Sequence, residues 1–270
     1  MRTLFAFVGA LASALVLAAG CAGDHDERRI TVAAASSLQP LLEEVVPRFA
    51  EDTGIAIGVS YGASGTIANQ IEHGAPIDVV VAASLEHVDR LSSGGFLRVD
   101  SIKPWANGVV TLVKPKGDDR AWLLVEGERI AIANPETAPY GAAAKALLEN
   151  SGLWEQLEDR IVYADNVMQA LQFARSGNVD FAFVPASLVP LGARDIDHLG
   201  GFYGGDLRQT VAVVASTDHL QDAEAFANHL AGDEVAALLS GFGYGPPTDS
   251  TWTGRFQQDG GRDALRLLDD

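Results

Sequence analysis

Cysteine and basic side chains are scarce in this 270-residue chain. The single cysteine, Cys21, cannot form an internal disulfide. Lys and Arg together number 19 against 36 Asp and Glu, which gives a formal net charge of −17. This negative charge repels nucleic acid and anionic lipid headgroups, so neither is an expected partner. It also repels a small anion at long range, and a site for an anion would therefore have to rely on local donors.

The first 20 residues have the pattern of an export signal. Arg2 precedes an apolar stretch, Leu4 to Ala19, which is too short and too weakly flanked for a permanent membrane span. Small residues then lead to Cys21, and this junction resembles a bacterial lipobox. We expect removal of residues 1–20, acylation of Cys21 and a charged tether over 21–28; signal cleavage that leaves a free thiol is the alternative. The predicted location is the periplasm or the outer face of the cytoplasmic membrane, with the N-terminal lipid as the membrane contact.

A strand followed by a serine-bearing turn and a helix opens the predicted folded region. The apolar run from Ile30 to Ala35 stops at Ser36 and Ser37, and an amphipathic helical pattern begins at Leu38. A serine at such a turn can cap its helix by accepting a backbone N–H. Alternatively, the free N–H groups and hydroxyls face outward and hold an anion. One occurrence does not decide between these interpretations.

The same arrangement recurs in the next strand and turn. An alternating strand runs into Gly62-Ala-Ser-Gly-Thr66, and Ser64 is predicted as the N-cap of the helix that follows. Thr66 stands where a nucleophile elbow would require glycine, and no lysine follows as in a phosphate-binding loop. Two further helix starts follow strands, one near Tyr140 and one at Val167.

The alternation of strands and helices predicts an α/β fold with mostly parallel sheets and helices on both faces. We interpret the strands at 109–113 and 210–215 as crossings between two lobes. The predicted lobe 1 covers residues 29–107 and 212–245, and the predicted lobe 2 covers 108–211. Residues 246–270 form a C-terminal extension without an assigned role.

Four helix N-termini, at Ser37, Ser64, Tyr140 and Val167, would offer N–H donors and positive dipole ends to one anion if they converged on a cleft. No charged residue lies in the core of these turns. A fully ionised oxyanion needs donors only, whereas protonated phosphate usually also needs an acceptor. The pattern therefore favours a fully deprotonated tetrahedral dianion.

An ordered set of motifs resembles the periplasmic molybdate-binding proteins of ABC importers. The resemblance covers about residues 29 to 245 and rests on the stretches at 33–36, 61–66, 70–78, 134–141, 165–167 and 241–244. It implies a type II-like periplasmic-binding-protein fold whose two lobes close over molybdate or tungstate, with no other cofactor. It also implies a monomeric receptor, not an enzyme, that delivers its anion to a membrane permease.

The resemblance further implies how the anion is held. Ser36 and Ser64 would bind the molybdenum oxyanion through hydroxyls and backbone N–H groups, and Tyr140 and Val167 through backbone N–H groups. Many members also use a tyrosine where this chain has Pro185, which offers no donor. One branch lacks that tyrosine and uses the residue after the first serine, which is Ser37 here.

Two other functions remain open from the residues. The same fold could bind sulfate, thiosulfate or another small oxyanion, because the sequence does not give the cavity size. A serine hydrolase using Ser36 or Ser64 is the remote alternative, and it needs a general base within reach. The six histidines adjoin none of the four turns in sequence. A receptor for a metal cation is not expected, because no His, Asp and Glu set has ligand spacing.

Overall fold

The computed structural model describes residues 28–117, 127–189, 193–202 and 206–246. The predicted signal peptide, Cys21 and all of the predicted extension except Pro246 lie outside these residues. None of the described helices is long and apolar enough to cross a membrane.

Ten strands lie in the described part of the chain. They are β1 (Arg29–Ala35), β2 (Ala56–Gly62), β3 (Val79–Ala82), β4 (Lys103–Asn107), β5 (Val110–Pro115), β6 (Ile130–Ala133), β7 (Ile161–Ala164), β8 (Phe181–Pro185), β9 (Ile196–Phe202) and β10 (Arg208–Val213).

Eight α-helices connect these strands in the described residues. They are α1 (Gln39–Thr53), α2 (Ser64–Glu72), α3 (Leu85–Ser93), α4 (Pro139–Asn150), α5 (Trp154–Leu157), α6 (Val167–Arg175), α7 (Leu220–Leu230) and α8 (Asp233–Leu238). Short 3-10 helices cover Ser36–Leu38, Val99–Ser101, Glu158–Arg160, Ala186–Leu188 and Leu239–Phe242.

The strands form two five-stranded sheets, one for each predicted lobe. The first has the order β2-β1-β3-β10-β4 and the second the order β7-β6-β8-β5-β9. In each sheet one strand, β10 or β5, is antiparallel to both of its neighbours, and the other four share one direction. The predicted two-lobed α/β fold with mostly parallel sheets is confirmed, and each sheet contains one antiparallel strand.

Burial explains why these segments fold as they do. Strands β3 and β6 are near-continuous apolar runs, and they are buried at every position. Such runs are typical of strands in a sheet that is covered on both faces. Helix α1 buries Leu41, Leu42, Val45 and Phe49 on one face. It ends at Gly54, whose φ of 71° is the left-handed conformation that glycine adopts without steric cost.

Two crossings join the lobes. The first lies at Gly108 and Val109, between β4 and β5, and the second lies between β9 and β10. The Gly108 N–H donates to the Leu207 carbonyl across 2.9 Å, which ties one crossing to the other. The second lobe boundary was predicted between residues 211 and 212. In the structure it lies before Arg208, because residues 208 to 211 pair with β4 and so belong to the first lobe.

Candidate functional site

The five residues predicted to bind the anion line one cavity between the lobes. Each is buried, with 1% to 4% of its surface exposed. The space open to the centre of a water-sized sphere is about 10 Å³, which admits only a compact solute. The described lining consists of Ala35, Ser36, Ser37, Gly62, Ala63, Ser64, Ala83, Ala138, Pro139, Tyr140, Asn166 and Val167.

The first turn leaves its serine hydroxyls free of capping. The chain leaves β1 into the 3-10 helix Ser36–Leu38, whose N-cap is Ala35, and no side chain caps it. Helix α1, which follows, also has no side-chain cap, so the interpretation of Ser36 as a cap is wrong. The Ser37 carbonyl accepts hydrogen bonds from the hydroxyls of Ser187 and Tyr244, at 2.8 and 2.7 Å.

Ser64 is the first residue of α2, not its N-cap as predicted. Ala63 is the N-cap, and the hydroxyl oxygen of Ser64 instead accepts the Ala83 N–H across 3.0 Å. This contact uses the oxygen only, so the hydroxyl hydrogen is available to a ligand. The backbone N–H of Ser64 has no acceptor within its own helix, because it belongs to the first turn.

The third turn comes from the second lobe. Helix α4 begins at Pro139, whose missing N–H costs nothing at a first helical position. Tyr140 follows in the first turn, so its N–H also lacks an intrahelical acceptor. A side chain at Gly141 would overlap the Ala133 carbonyl, which shows how closely this helix start approaches the end of β6.

The fourth turn is capped so that one donor remains. The side-chain oxygen of Asn166 accepts the N–H groups of Met168 and Gln169, at 3.0 and 3.1 Å. The Ala170 N–H binds the Asn166 carbonyl across 3.1 Å and begins the helical ladder. Neither the Asn166 cap nor the hydrogen bonds within the helix use the Val167 N–H. This N–H group therefore remains available to a ligand.

The lobes touch beside the cavity. The Gly65 N–H, in the first turn of α2, donates to the Thr137 carbonyl in the loop before α4 across 2.8 Å. A Cβ atom at position 65 would lie 2.9 Å from both the Cα and the carbonyl oxygen of Thr137. Only glycine permits this approach, so the structure is closed at this edge of the cavity.

No Lys, Arg, His, Asp or Glu is among the described residues that line the cavity. Tyr140 is the titratable residue among them, and burial raises the pKa of its phenol well above the usual value. The phenol is consequently neutral at physiological pH. The cavity thus presents backbone N–H groups, hydroxyls and helix N-termini, which together favour a small anion.

Neither Pro185 nor Asp165 is among the described residues that line the cavity. Pro185 ends β8, opposite Val110, and is not among the described lining residues. The Asp165 carboxylate accepts from the Gln169 side chain across 3.4 Å, while its neighbour Asn166 caps the helix.

Sequence reasoning missed the residues that hold the site together. Asn166, Ser187 and Tyr244 position the fourth and first turns, and the Ala83 N–H fixes the Ser64 hydroxyl. Asn166 was recognisable, because asparagine directly before a helical pattern is a strong N-cap signal. Ser187 and Tyr244 act on Ser37 across 150 and 207 positions of sequence, and no local pattern reveals such contacts.

Replacing Asn166 with alanine should lower the free energy of unfolding by about 1 kcal/mol, because two N–H groups lose their cap. Anion affinity should fall as well, since the cap fixes the turn that carries the Val167 N–H. Thermal unfolding with and without ligand measures both effects. Asp165→Ala is the matched control, and its exposed site should keep the change within about 0.5 kcal/mol. Equal effects of the two substitutions would contradict the capping role.

Two α/β lobes that join through two crossings and close over a small cavity define a two-lobed solute-binding protein. The chain belongs to the family of bacterial extracellular solute-binding proteins, whose model matches residues 30–245.

Individual relatives span most of the chain. YvgL of Bacillus subtilis, provisionally named an ABC transporter substrate-binding lipoprotein, is 31% identical over 88% of this chain and 96% of its own length. The molybdate-binding protein ModA of Azotobacter vinelandii is 31% identical over 86% of this chain and 97% of its own length. The solved structure of an Azotobacter vinelandii periplasmic molybdate-binding protein superposes with a TM-score of 0.74, at 32% identity, over 81% of this chain and 99% of that one.

Proposed function

We propose that this protein captures molybdate, and also tungstate, outside the cytoplasm and delivers it to the permease of an ABC importer. The observation that carries the proposal is the cavity itself, where four helix starts meet with hydroxyls and no charged side chain. The similarity to the Azotobacter molybdate-binding proteins supports the choice of ligand. Because the described lining comes from both lobes of one chain, a monomer suffices.

In this proposal each turn has a defined contact with the anion. Ser36, Ser37 and Ser64 bind through hydroxyls and backbone N–H groups, and Tyr140 and Val167 through backbone N–H groups. Such donors suit an oxyanion that carries no proton, whereas a protonated phosphate usually also needs an acceptor for its O–H. Fixed local dipoles allow binding despite the overall charge of −17.

We also propose that the site binds and does not catalyse. A hydrolase would need a base beside its serine. The oxygen of Ser64 instead accepts a backbone N–H, and no histidine or carboxylate is among the described lining residues. The two serine turns therefore favour a receptor.

Thermal unfolding of the mature, unlipidated domain tests the ligand. Molybdate or tungstate at about a thousand times its dissociation constant should stabilise the protein by about 4 kcal/mol. The unfolding midpoint should then rise by about 8–16 °C for a chain of this size. Sulfate, thiosulfate and phosphate at the same concentration are the controls. An equal or larger shift with sulfate or thiosulfate would assign the site to that anion, and no shift with any oxyanion would reject the proposal.

We further propose that Cys21 carries a lipid that holds the receptor at the membrane. The name of the Bacillus relative supports a lipoprotein. At the predicted end of the tether, the Arg28 side chain pairs with Asp222 and donates to the Thr53 carbonyl, which fixes this end to the first lobe. Both contacts lie beside the start of β1, and the serine turns lie at its opposite end.

Cys21→Ser should move the full-length protein from the membrane fraction to the soluble extracytoplasmic fraction, because acylation requires the thiol. Fractionation followed by detergent phase partitioning measures the change. Molybdate affinity of the released protein should equal that of the wild-type protein, since the cavity is unaffected. A Cys21→Ser variant that stays in the detergent phase would contradict lipid attachment at this residue.

A further inference from the structure

One carbonyl oxygen of the first turn is held from both lobes. The Ser37 carbonyl accepts the hydroxyl of Tyr244 across 2.7 Å and the hydroxyl of Ser187 across 2.8 Å. All three residues are buried, with 1% to 6% of their surface exposed. Since a carbonyl oxygen has two lone pairs, these two hydroxyls use its full capacity as an acceptor.

The two donors belong to different lobes. Tyr244 follows α8 in the first lobe, where the next residue, Gly245, exchanges backbone hydrogen bonds of 2.9 and 2.8 Å with Asn107 of β4. Ser187 lies in the 3-10 helix that follows β8, a strand of the second sheet. The Tyr244 bond is therefore made within one lobe, whereas the Ser187 bond joins the two lobes.

The 3-10 helix that carries Ser187 packs closely against the first lobe. Gly243 has a φ of 74°, and a Cβ atom there would lie 3.2 Å from the carbonyl carbon of Ala186 and 3.3 Å from the backbone nitrogen of Ser187. The lobes also meet where the Gly65 N–H donates to the Thr137 carbonyl. The Ser187 bond is thus a second hydrogen bond that joins the lobes outside the crossings.

The carbonyl that Ser187 holds belongs to a residue of the binding site. Ser37 lines the cavity, and its own hydroxyl has no partner within the described part of the protein. Folded proteins satisfy nearly all buried polar atoms, so a ligand oxygen is the natural acceptor for this hydroxyl. Ser187 itself is not among the described lining residues, and it can therefore act on the ligand only through Ser37.

We propose that Ser187 is a positioning residue that couples closure of the lobes to the placement of Ser37 against the anion. The inference rests on the proposed function and adds a residue of the second lobe that acts without touching the ligand. Tyr244 holds the Ser37 carbonyl whether the lobes are open or closed. Ser187 reaches that carbonyl only in the closed form, so its bond favours the form that binds the anion.

Isothermal titration with sodium molybdate should compare the wild-type protein with Ser187→Ala. The Ser37 carbonyl keeps its bond to Tyr244 in this variant, so the first turn remains supported. We expect the Kd to rise about fivefold, which corresponds to one ordinary hydrogen bond. The unfolding midpoint without ligand should match the wild-type value, because the open form lacks this bond.

Tyr244→Phe is the matched control, because it removes a hydroxyl from the same carbonyl but from within the first lobe. Its bond is present in both forms, so the Kd should equal the wild-type value. The unfolding midpoint without ligand should fall by about 2–4 °C instead. If Ser187→Ala lowered the ligand-free midpoint and kept the wild-type Kd, its bond would persist in the open form and the inference would be overturned.

Combining the two substitutions tests whether both hydroxyls serve one carbonyl. In the Tyr244→Phe background Ser187→Ala should raise the Kd by more than fivefold, because the Ser37 carbonyl of the closed form is then buried without a donor. An equal or smaller effect in that background would contradict the shared acceptor while leaving molybdate binding established. Absence of molybdate binding by the wild-type protein would instead reject the proposed function, and this inference with it.

Discussion

Gly65→Ala should weaken molybdate binding by about tenfold to a hundredfold without lowering the stability of the ligand-free protein. The new Cβ atom would lie 2.9 Å from the Thr137 backbone across the cleft, where no flexible group can move aside. Overpacking of this kind costs about 1–3 kcal/mol, and here the cost falls on the closed state. Alanine also stabilises a helix relative to glycine by about 1 kcal/mol. Isothermal titration and thermal unfolding of the variant measure the two effects.

Gly58→Ala is the matched control for this prediction. Gly58 lies in β2 of the same lobe, and a Cβ atom there would meet only the flexible Arg29 side chain, at 3.4 Å. Its molybdate affinity should equal that of the wild-type protein. Unchanged affinity in Gly65→Ala would show that binding does not need the lobes to meet at Thr137. A lower unfolding midpoint without ligand would instead indicate damage within the first lobe, where the His87 ring lies 3.2 Å from the new atom.

Ser64→Ala should reduce both molybdate affinity and stability. The anion loses a hydroxyl donor, and a hydrogen bond to a charged group contributes about 1.5–3 kcal/mol, or about tenfold to more than a hundredfold in Kd. The buried Ala83 N–H loses its acceptor at the same time, which should lower the free energy of unfolding by about 1–3 kcal/mol. Titration with molybdate and denaturant unfolding without ligand separate these losses.

Ser60→Ala provides the comparison for Ser64. Ser60 is an exposed residue of β2 whose hydroxyl makes only a long contact of 3.4 Å with the Val32 carbonyl. Both affinity and stability should stay near the wild-type values in this variant. If Ser64→Ala lost stability but kept its affinity, the hydroxyl would serve Ala83 alone and would not contact the anion.

The two-lobed fold was predictable because its central strands carry strong local signals. The fully buried strands β3 and β6 are continuous apolar runs, and such runs predict buried strands from the sequence alone. The edge strands β4 and β9 carry weaker signals, because both have unfavourable local sequences. Strand β4 contains Pro104 and β9 contains the pair Gly200-Gly201, and edge positions tolerate such residues because half of their backbone groups need no partner in the sheet.

The residues of the candidate site could be predicted because strand ends and helix starts are local features. Their support could not be predicted, since it comes from distant parts of the chain. The Ser64 hydroxyl was expected to cap its own helix, but it accepts the N–H of Ala83, in the turn that follows β3.

A crystal structure with tungstate, measured at a tungsten absorption edge, tests most directly whether the four turns hold one oxyanion. The account predicts a single strong anomalous peak in the cavity, with the oxygens of the anion within hydrogen-bond distance of the Ser36 and Ser64 hydroxyls and of the Tyr140 and Val167 N–H groups. A peak elsewhere on the protein, or a cavity without one at saturating tungstate, would contradict it.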